Sequence, residues 1–185
     1  MLISYNELCG FAERGVIAPV DPKDINGTSI DVHLGPKILR EQAVFLANGT
    51  EGLGIVSLRD KQNVSWEEVD IEYEGYYDLQ PGEFILAHTV EMFDLPADIS
   101  AEFKLNSSGA RIGLDNALAT WADPRWHGST LTLELKNNTR FHVIRLHHGC
   151  RIGQMIFHRS EPVPEEKSYA VRGRYLNDKS VQTVK

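Results

Sequence analysis

Several features are scarce in this 185-residue sequence, and each absence narrows the kind of protein that it encodes. Cys9 and Cys150 are its only cysteines, too few for a disulfide framework. They indicate a reducing compartment, by default the cytoplasm, although the sequence leaves one distant pairing open. No apolar run approaches the ~20 residues that cross a bilayer, and the N-terminus lacks a basic flank, so we expect neither a membrane span nor a signal peptide.

Positive charge is scarce as well. Nineteen Lys and Arg stand against 26 Asp and Glu, which gives a formal net charge of -7. This balance has the wrong sign for a protein that coats a nucleic-acid polymer. A small phosphorylated ligand stays open, because it needs only a local cluster of donors, often with a magnesium ion that offsets its charge.

Motifs with strict spacing are absent. The seven histidines form no HExxH pattern, and the H-x-E and P-C-x-x-C signature of zinc deaminases does not occur, so zinc-activated water is not predicted. The sequence also lacks a GxSxG elbow for a nucleophilic serine, and its glycines match neither a Walker loop nor a Rossmann fingerprint. Any chemistry must therefore come from less regular polar segments.

Many short segments separated by Gly, Pro, Asn and Asp predict a mainly β chain built as an antiparallel barrel or sandwich. Ser4 and Glu7 have the spacing of a capping box, and Leu8, Phe11 and Ala12 give the segment an apolar face, so we predict a short helix over residues 4–14. From Val44 to Gly82 we expect short strands and loops. Residues 84–105 predict two strands, broken where Leu95-Pro96-Ala97-Asp98 favours a turn.

The segment INGTSIDVHLG predicts a strand in which Ile30, Val32 and Leu34 alternate with Asp31 and His33. Such alternation is typical of a half-buried strand with one face toward water.

Glu134 lies in the segment TLTLEL, residues 130–135, where three leucines occupy one strand face and two threonines and the glutamate occupy the other. The polar face is either a solvated surface or the wall of a pocket. In a pocket, partial desolvation would raise the pKa of Glu134 and allow it to transfer protons.

A second polar segment runs from Asn106 to Arg111. Its small side chains and Gly109 can present backbone N–H groups to an anion. Ser107, Ser108 and Arg111 add two hydroxyls and a cation, which suit phosphate oxygens or the orientation of a carboxylate. An ordinary surface turn is the alternative interpretation.

Four segments together resemble the dCTP deaminase family. INGTSIDVHLG is similar to its N-G-x-x-x-D-V-x-L-G strand, and NSSGARIGL to its R-S-S-x-x-R-x-G-L motif. ATWADPRWHGSTLTLELKN resembles A-x-x-x-D-P-G-W-x-G … L-E, and Tyr169 with GRYLNDKSVQ resembles the closing Tyr … K-Y-x-N-Q. The matches occur in the family's order and span residues 26–182.

The resemblance implies a dUTPase-like fold: a distorted antiparallel β-barrel with a short N-terminal helix. Residues 1–185 would form a single domain, with residues 165–185 as a C-terminal lid or tail. A homotrimer with active sites between neighbouring subunits is expected. The implied activity is zinc-free hydrolytic deamination of dCTP to dUTP and ammonia, with Mg²⁺ bound through the nucleotide phosphates and with no nucleic-acid polymer or membrane as partner.

The resemblance also implies roles for individual residues. Glu134 would be the general base and proton shuttle that activates water for attack on cytosine C4. Ser107 and a backbone carbonyl near Ala119 would position that water, while Arg111 would orient Glu134 and stabilise the intermediate.

The remaining implied contacts hold the nucleotide. Asp123 would bind the deoxyribose hydroxyl, and Ser107 and Ser108 the phosphates. Tyr169 and Arg174 would reach the nucleotide from the tail, which would close as a lid.

This sequence departs from the family pattern in three ways. Asn106 and Asp178 stand where arginine and glutamine are usual, which makes the substrate-binding pocket less positive, and Arg174 replaces a lysine. Loss of one phosphate-facing cation weakens a charge-assisted contact by roughly 1.5–3 kcal/mol. Spacing departs as well: against the family pattern, the interval from Gly113 to Ala119 is shorter by one residue, and that from Gly128 to Glu134 is longer by one residue. The extra residue in the second interval predicts a β-bulge near Ser129.

Two alternative functions stay open on the sequence. Trp121 before Ala122-Asp123 resembles the Gly-Trp-x-Asp of bifunctional relatives that continue to dUMP and pyrophosphate, although Trp121 is equally suited to packing at a trimer interface. The changes at Asn106 and Asp178 allow a catalytically inactive, nucleotide-binding regulatory protein.

Overall fold

The structure is a computed structural model that describes residues 1–57, 59, 64–117 and 119–184. It contains three α-helices, α1 (Tyr5–Glu13), α2 (Ser107–Arg111) and α3 (Tyr169–Arg172). Its strands are β1 (Ile17–Ala18), β2 (Ile30–His33), β3 (Lys37–Glu41), β4 (Val44–Phe45), β5 (Glu51–Gly52), β6 (Trp66–Asp70), β7 (Tyr76–Leu79), β8 (Phe84–Asp94), β9 (Ile99–Leu105), β10 (Leu114–Asn116), β11 (Trp121–Ala122), β12 (His127–Asn137), β13 (Ile144–His147) and β14 (Arg151–Arg159).

The strands form two main sheets that face one hydrophobic core. One sheet has the order β10-β12-β8-β3-β6, with β1 also paired to β8, and the other has the order β11-β9-β14-β2. Two small two-stranded sheets, β13-β7 and β4-β5, complete the described strands. Every strand pair in the described ranges is antiparallel, which confirms the mainly β, distorted antiparallel fold.

The N-terminal helix is confirmed, but its capping box is not. Leu8 and Phe11 bury the apolar face of α1, and the Phe11 ring meets Phe157 edge-on at 5.4 Å. No side-chain bond caps the helix at Ser4. The Glu7 carboxylate forms an ion pair with Arg159 of β14 instead.

The prediction of a half-buried strand at residues 30–34 is wrong, because both faces of β2 are covered. Asp31 is 8% exposed and accepts hydrogen bonds from Asn26 Nδ2 and Arg151 Nη1, each at 2.9 Å. His33 Nδ1 lies 2.8 Å from Oε1 of the buried Glu91. Polar partners from other elements thus replace the water expected on this face.

The predicted bulge near Ser129 is confirmed. The pairing of β12 with β8 shifts register between His127 and Ser129, and again between Thr130 and Thr132. Gly128 sits in the first shift with φ +64°, a conformation that L side chains rarely adopt. Beyond the shifts Leu133 and Leu135 are fully buried, so Glu134 projects from the opposite face.

The short strands expected between residues 44 and 82 are present, as are the two strands at 84–105. Cys9 and Cys150 are free thiols, which resolves the pairing that the sequence left open. Among the described residues, no helix has the length and apolar character needed to cross a bilayer.

Candidate active site

A cavity of about 570 Å³ opens beside the polar face of β12. Its polar wall contains Thr130, Thr132 and Glu134, the three residues that the sequence placed on one strand face. Tyr169, Asp178 and Gln182 from the C-terminal tail close the same wall. The structure therefore favours the pocket interpretation of this strand over the solvated one.

Glu134 is a partly buried carboxylic acid in the cavity wall, and its pKa is raised. Its Oε2 atom is buried and has no hydrogen-bond partner within the described part of the chain. Burial raises the pKa of the carboxyl from 4.5 to about 7, because the ionised form loses hydration. A group with this pKa exchanges protons readily near neutral pH, as general acid–base catalysis requires.

Apolar side chains of the same sheet lie beside this carboxylate: Leu86 of β8 is the cross-strand partner of Glu134, and Phe84 of β8 and Trp66 of β6 line the same cavity. The Trp66 and Phe84 rings lie 6.2 Å apart. Sequence reasoning missed all three residues and left the role of residues 44–80 open. The pairing of β3 with β6 and β8 brings them together, and no local sequence signal marks such a long-range contact.

Ala119 and Trp121 line the cavity next to the strand that carries Glu134. Trp121 is 57% exposed, stacks on His158 at 6.0 Å and donates Nε1–H to Asp123 Oδ1 at 3.0 Å. Asp123 is exposed, and it is not part of the cavity lining formed by the described residues. The indole nevertheless holds its carboxylate close to the cavity edge.

The tail after α3 lies along β12. The backbone carbonyl of Asp178 accepts the Thr130 N–H at 2.8 Å, and its backbone N–H donates to Ser129 Oγ at 3.1 Å. Further along, the Gln182 N–H donates to Thr132 Oγ1 at 3.2 Å. Both threonine positions therefore hold the tail, a contact that the strand pattern did not predict.

Buried side chains also anchor the tail. The Trp126 Nε1–H donates to Tyr175 O at 2.7 Å, and Val181 is buried against Leu39 and Leu86. Tyr169 lies in the cavity wall, where burial raises the pKa of its phenol. Arg174 is exposed and lies outside the cavity wall as far as the chain is described.

Ser107, Ser108 and Arg111 are exposed on α2, and none of them lines the cavity within the described ranges. Just after α2, the Gly113 carbonyl accepts the Asn138 N–H at 2.9 Å. Asn138 lies four residues beyond Glu134, or about 13 Å along the strand. The structure thus does not join the Ser107-to-Arg111 segment to Glu134 within one chain.

Asn106 has a structural role as the N-cap residue of α2. Its Oδ1 accepts the Gly109 N–H at 2.6 Å and caps α2, and its Nδ2 donates to Arg151 O at 2.8 Å. The expected turn is therefore a short helix, because Asn is among the best N-cap residues. Both ends of the amide are bonded within the chain.

No group of three or more His, Cys, Asp or Glu side chains that could hold a metal occurs in the described ranges. Glu134 and Asp178 are the acidic residues that line the cavity in the described part of the chain. This donor set suits a magnesium ion that arrives with phosphate oxygens better than one held by the protein alone.

Comparison with known proteins gives a consistent result. Residues 8–160 match the family model described as dCTP deaminase-like. A protein from Aquifex aeolicus named dCTP deaminase, dUMP-forming, is 33% identical over 187 residues, covering 98% of this chain and 92% of its own. One of the same name from Methanoregula boonei is 32% identical over 165 residues, covering 88% of this chain and 84% of its own.

The fold matches a solved structure, the 2'-deoxycytidine 5'-triphosphate deaminase from Agrobacterium tumefaciens, with a TM-score of 0.64. The two chains are 22% identical, and the match covers 85% of this chain but 47% of that longer one. This likeness concerns the fold, whereas the family model and the curated relatives extend over most of the sequence. The chain belongs to the dCTP deaminase-like family.

Proposed function

We propose that this protein is a bifunctional enzyme that converts dCTP to dUMP, ammonia and pyrophosphate. The observation that carries the proposal is Glu134, a desolvated carboxylate with a pKa raised to about 7 in the wall of a nucleotide-sized cavity. The sequence alone favoured dUTP as the product. The relatives that cover most of the chain are named dUMP-forming, which supports the bifunctional alternative instead.

In the deamination step, the ionised Glu134 removes a proton from water as the oxygen attacks C4 of cytosine. The carboxyl gives this proton to N3 of the ring, then removes the proton of the new C4 hydroxyl and passes it to the amine, which departs as ammonia and leaves a uracil nucleotide. A pKa near 7 suits both directions of transfer, because neither form of the carboxyl is strongly disfavoured at neutral pH.

We propose that Ser107 and Arg111 complete this site from a neighbouring subunit of a homotrimer. The separation of about 13 Å between Glu134 and Asn138, whose N–H bonds Gly113 just after α2, supports this arrangement. Arg111 of the partner subunit would then reach the unpartnered side of the Glu134 carboxylate. Ser107 of the partner subunit and the backbone near Ala119 would hold the attacking water.

The nucleotide would lie along the cavity with its base toward Glu134. Asp123, steadied by Trp121, would accept the deoxyribose hydroxyl. The tail would act as a lid, with Tyr169, Arg174 and Asp178 closing over the phosphates.

Ser107 and Ser108 would donate to the phosphates, and Asn106 would shape this contact through the cap of α2. Mg²⁺ bound to the phosphates would neutralise charge during the second step, the attack of water that releases pyrophosphate and leaves dUMP. We place the enzyme in the cytoplasm, where free thiols such as Cys9 and Cys150 persist.

Product analysis tests this function. The purified protein is incubated with dCTP, dCMP or dUTP in the presence of magnesium, and the products are resolved by chromatography. We expect dUMP and pyrophosphate from dCTP. Accumulation of dUTP would support a monofunctional deaminase, and binding without turnover would support a regulatory protein.

Subunit mixing tests the shared site. Glu134→Gln and Arg111→Ala are each expected to abolish deamination. Trimers reassembled from equal amounts of both variants should regain activity at roughly one quarter of their sites, because those sites combine an intact Glu134 with an intact Arg111. No recovery in verified mixed trimers would contradict a site built from two subunits.

A further inference from the structure

Asn116 is a buried amide beside the candidate site to which the proposed mechanism assigns no role. It ends β10, is 7% exposed and pairs with Leu135, the residue after Glu134. Directly opposed residues of an antiparallel pair project to the same face, so its side chain lies with that of Leu135 on the core side. A polar group in that position is costly unless it is fully hydrogen-bonded.

Only one end of this amide is bonded in the described part of the chain. Its Nδ2 donates to Ala117 O at 2.9 Å, whereas its buried Oδ1 has no hydrogen-bond partner there. An unsatisfied buried acceptor costs about 1–3 kcal/mol, so an aliphatic residue would suit this core position better. Natural proteins tend to break such packing rules at functional sites.

The bond from Asn116 falls on the residue that connects Glu134 with Ala119. The Ala117 N–H donates to Glu134 O at 2.9 Å, and the Ala117 carbonyl also accepts the Ala119 N–H at 2.9 Å. Ala117 thus ties the backbones of both residues together. Asn116 supplies the side-chain bond that fixes this junction.

We infer that Asn116 is a positioning residue that sets the backbone near Ala119 relative to the Glu134 carboxylate for deamination. The inference rests on the proposed function, in which those two groups hold the attacking water. Asn116 lies outside the cavity wall in the described ranges, so it acts through Ala117 and does not touch the nucleotide. A misplacement of about 1 Å in such a site lowers the rate by about a hundredfold.

Asn116→Leu tests this role, since it removes both amide groups and keeps the number and branching of the side-chain heavy atoms. We expect kcat for deamination to fall about tenfold to a hundredfold, while KM for dCTP stays within about twofold. The midpoint of urea unfolding should equal or exceed that of the parent protein, because the unpartnered acceptor is gone. Asn116→Val, a smaller residue suited to strands, repeats the test without overpacking.

Asn137 provides a matched control, because it is a fully buried asparagine in the adjacent strand whose amide is bonded at both ends. Its Nδ2 donates to Leu79 O and His142 O, and its Oδ1 accepts the Thr139 N–H, all at 2.9 Å. Asn137→Leu should therefore lower the unfolding midpoint. This is the behaviour of an amide that serves structure.

An unchanged kcat in Asn116→Leu would overturn the inference. A fall in kcat together with a fall in the unfolding midpoint like that of Asn137→Leu would also overturn it. So would failure of both Asn116 variants to fold, because each of these outcomes shows that the amide serves structure. The parent protein separates this inference from the proposed function. Absence of deamination by the parent removes the function, whereas turnover by the parent with full kcat in the variant removes only the role of Asn116.

Discussion

Replacing Glu134 with glutamine should stabilise the folded protein, and the gain should be larger at pH 8 than at pH 5. Burial raises the pKa of this carboxyl from 4.5 to about 7, so ionisation is less favourable in the folded chain than in the unfolded one. Between these two pKa values the folded state retains a proton that the unfolded state releases. Stability therefore decreases as pH rises through this window, and glutamine, which does not ionise, avoids the loss.

The size of the effect follows from the shift. Each unit of pKa difference corresponds to about 1.4 kcal/mol, which sets an upper limit of about 3 kcal/mol above pH 7. Two effects reduce this limit: the side chain is partly exposed, and part of the ionisation penalty is already present at pH 5. We therefore expect the stabilisation by Glu134→Gln to be about 2 kcal/mol larger at pH 8 than at pH 5.

Arg111 of the partner subunit opposes this effect in the proposed trimer, because a guanidinium favours the ionised carboxylate. We therefore expect the full difference in an Arg111→Ala background and a smaller one in the parent background. Urea unfolding at pH 5 and pH 8, at one fixed protein concentration, measures both. Glu13→Gln, at an exposed position of α1, is the control.

An equal effect of Glu134→Gln at both pH values in the Arg111→Ala background would refute the desolvation argument, since it would show a solvated carboxylate. An identical pH dependence in the two backgrounds would instead place Arg111 away from Glu134. Ammonia release from dCTP, measured on the same samples, connects these changes to activity.

Three further predictions concern the tail, the cap of α2 and a buried histidine. Val181→Ala should lower the free energy of local opening of the tail by about 1–2 kcal/mol and accelerate proteolysis there. Val171→Ala, at an exposed position, should not have this effect. Equal cleavage rates in the two variants would show that the Val181 contact does not hold the tail. Asn106→Ala should lower the free energy of unfolding by about 1 kcal/mol, and Asn106→Ser should lower it less, because serine can still cap the helix. Equal losses in thermal unfolding of the two variants would rule out the cap. Burial lowers the pKa of His88, so the unfolded chain takes up a proton that the folded chain resists, and stability should fall as pH drops below about 6.5. That slope should be shallower in His88→Gln, and an unchanged slope would assign it to other groups.

The elements that the sequence predicted correctly are those with a local cause. Alternation in TLTLEL and the extra residue after Gly128 together predicted the strand of Glu134 and its bulge, because side-chain facing has a period of two along a strand. The helix near residues 4–14 followed from the spacing of Leu8 and Phe11.

The errors arose where a distant element supplied the partner. Asp31 resembled a solvent-facing strand residue, yet Asn26 and Arg151 enclose it. Glu7 fitted a capping box, yet Arg159 binds it from β14. Neither competing partner is identifiable from the local pattern.

For the candidate site, the sequence by itself determined the family and predicted Glu134 as the proton-transfer residue, since the motifs around Glu134 are local and ordered along the chain. Only the tertiary structure decided that one oxygen of this carboxylate is buried, that Trp66 and Phe84 line the same cavity and that the tail binds along its strand. It also separated α2 from Glu134 within one chain. The physical reason is that desolvation and distance depend on which strands pair, and pairing between segments far apart in sequence is fixed by packing of the whole core.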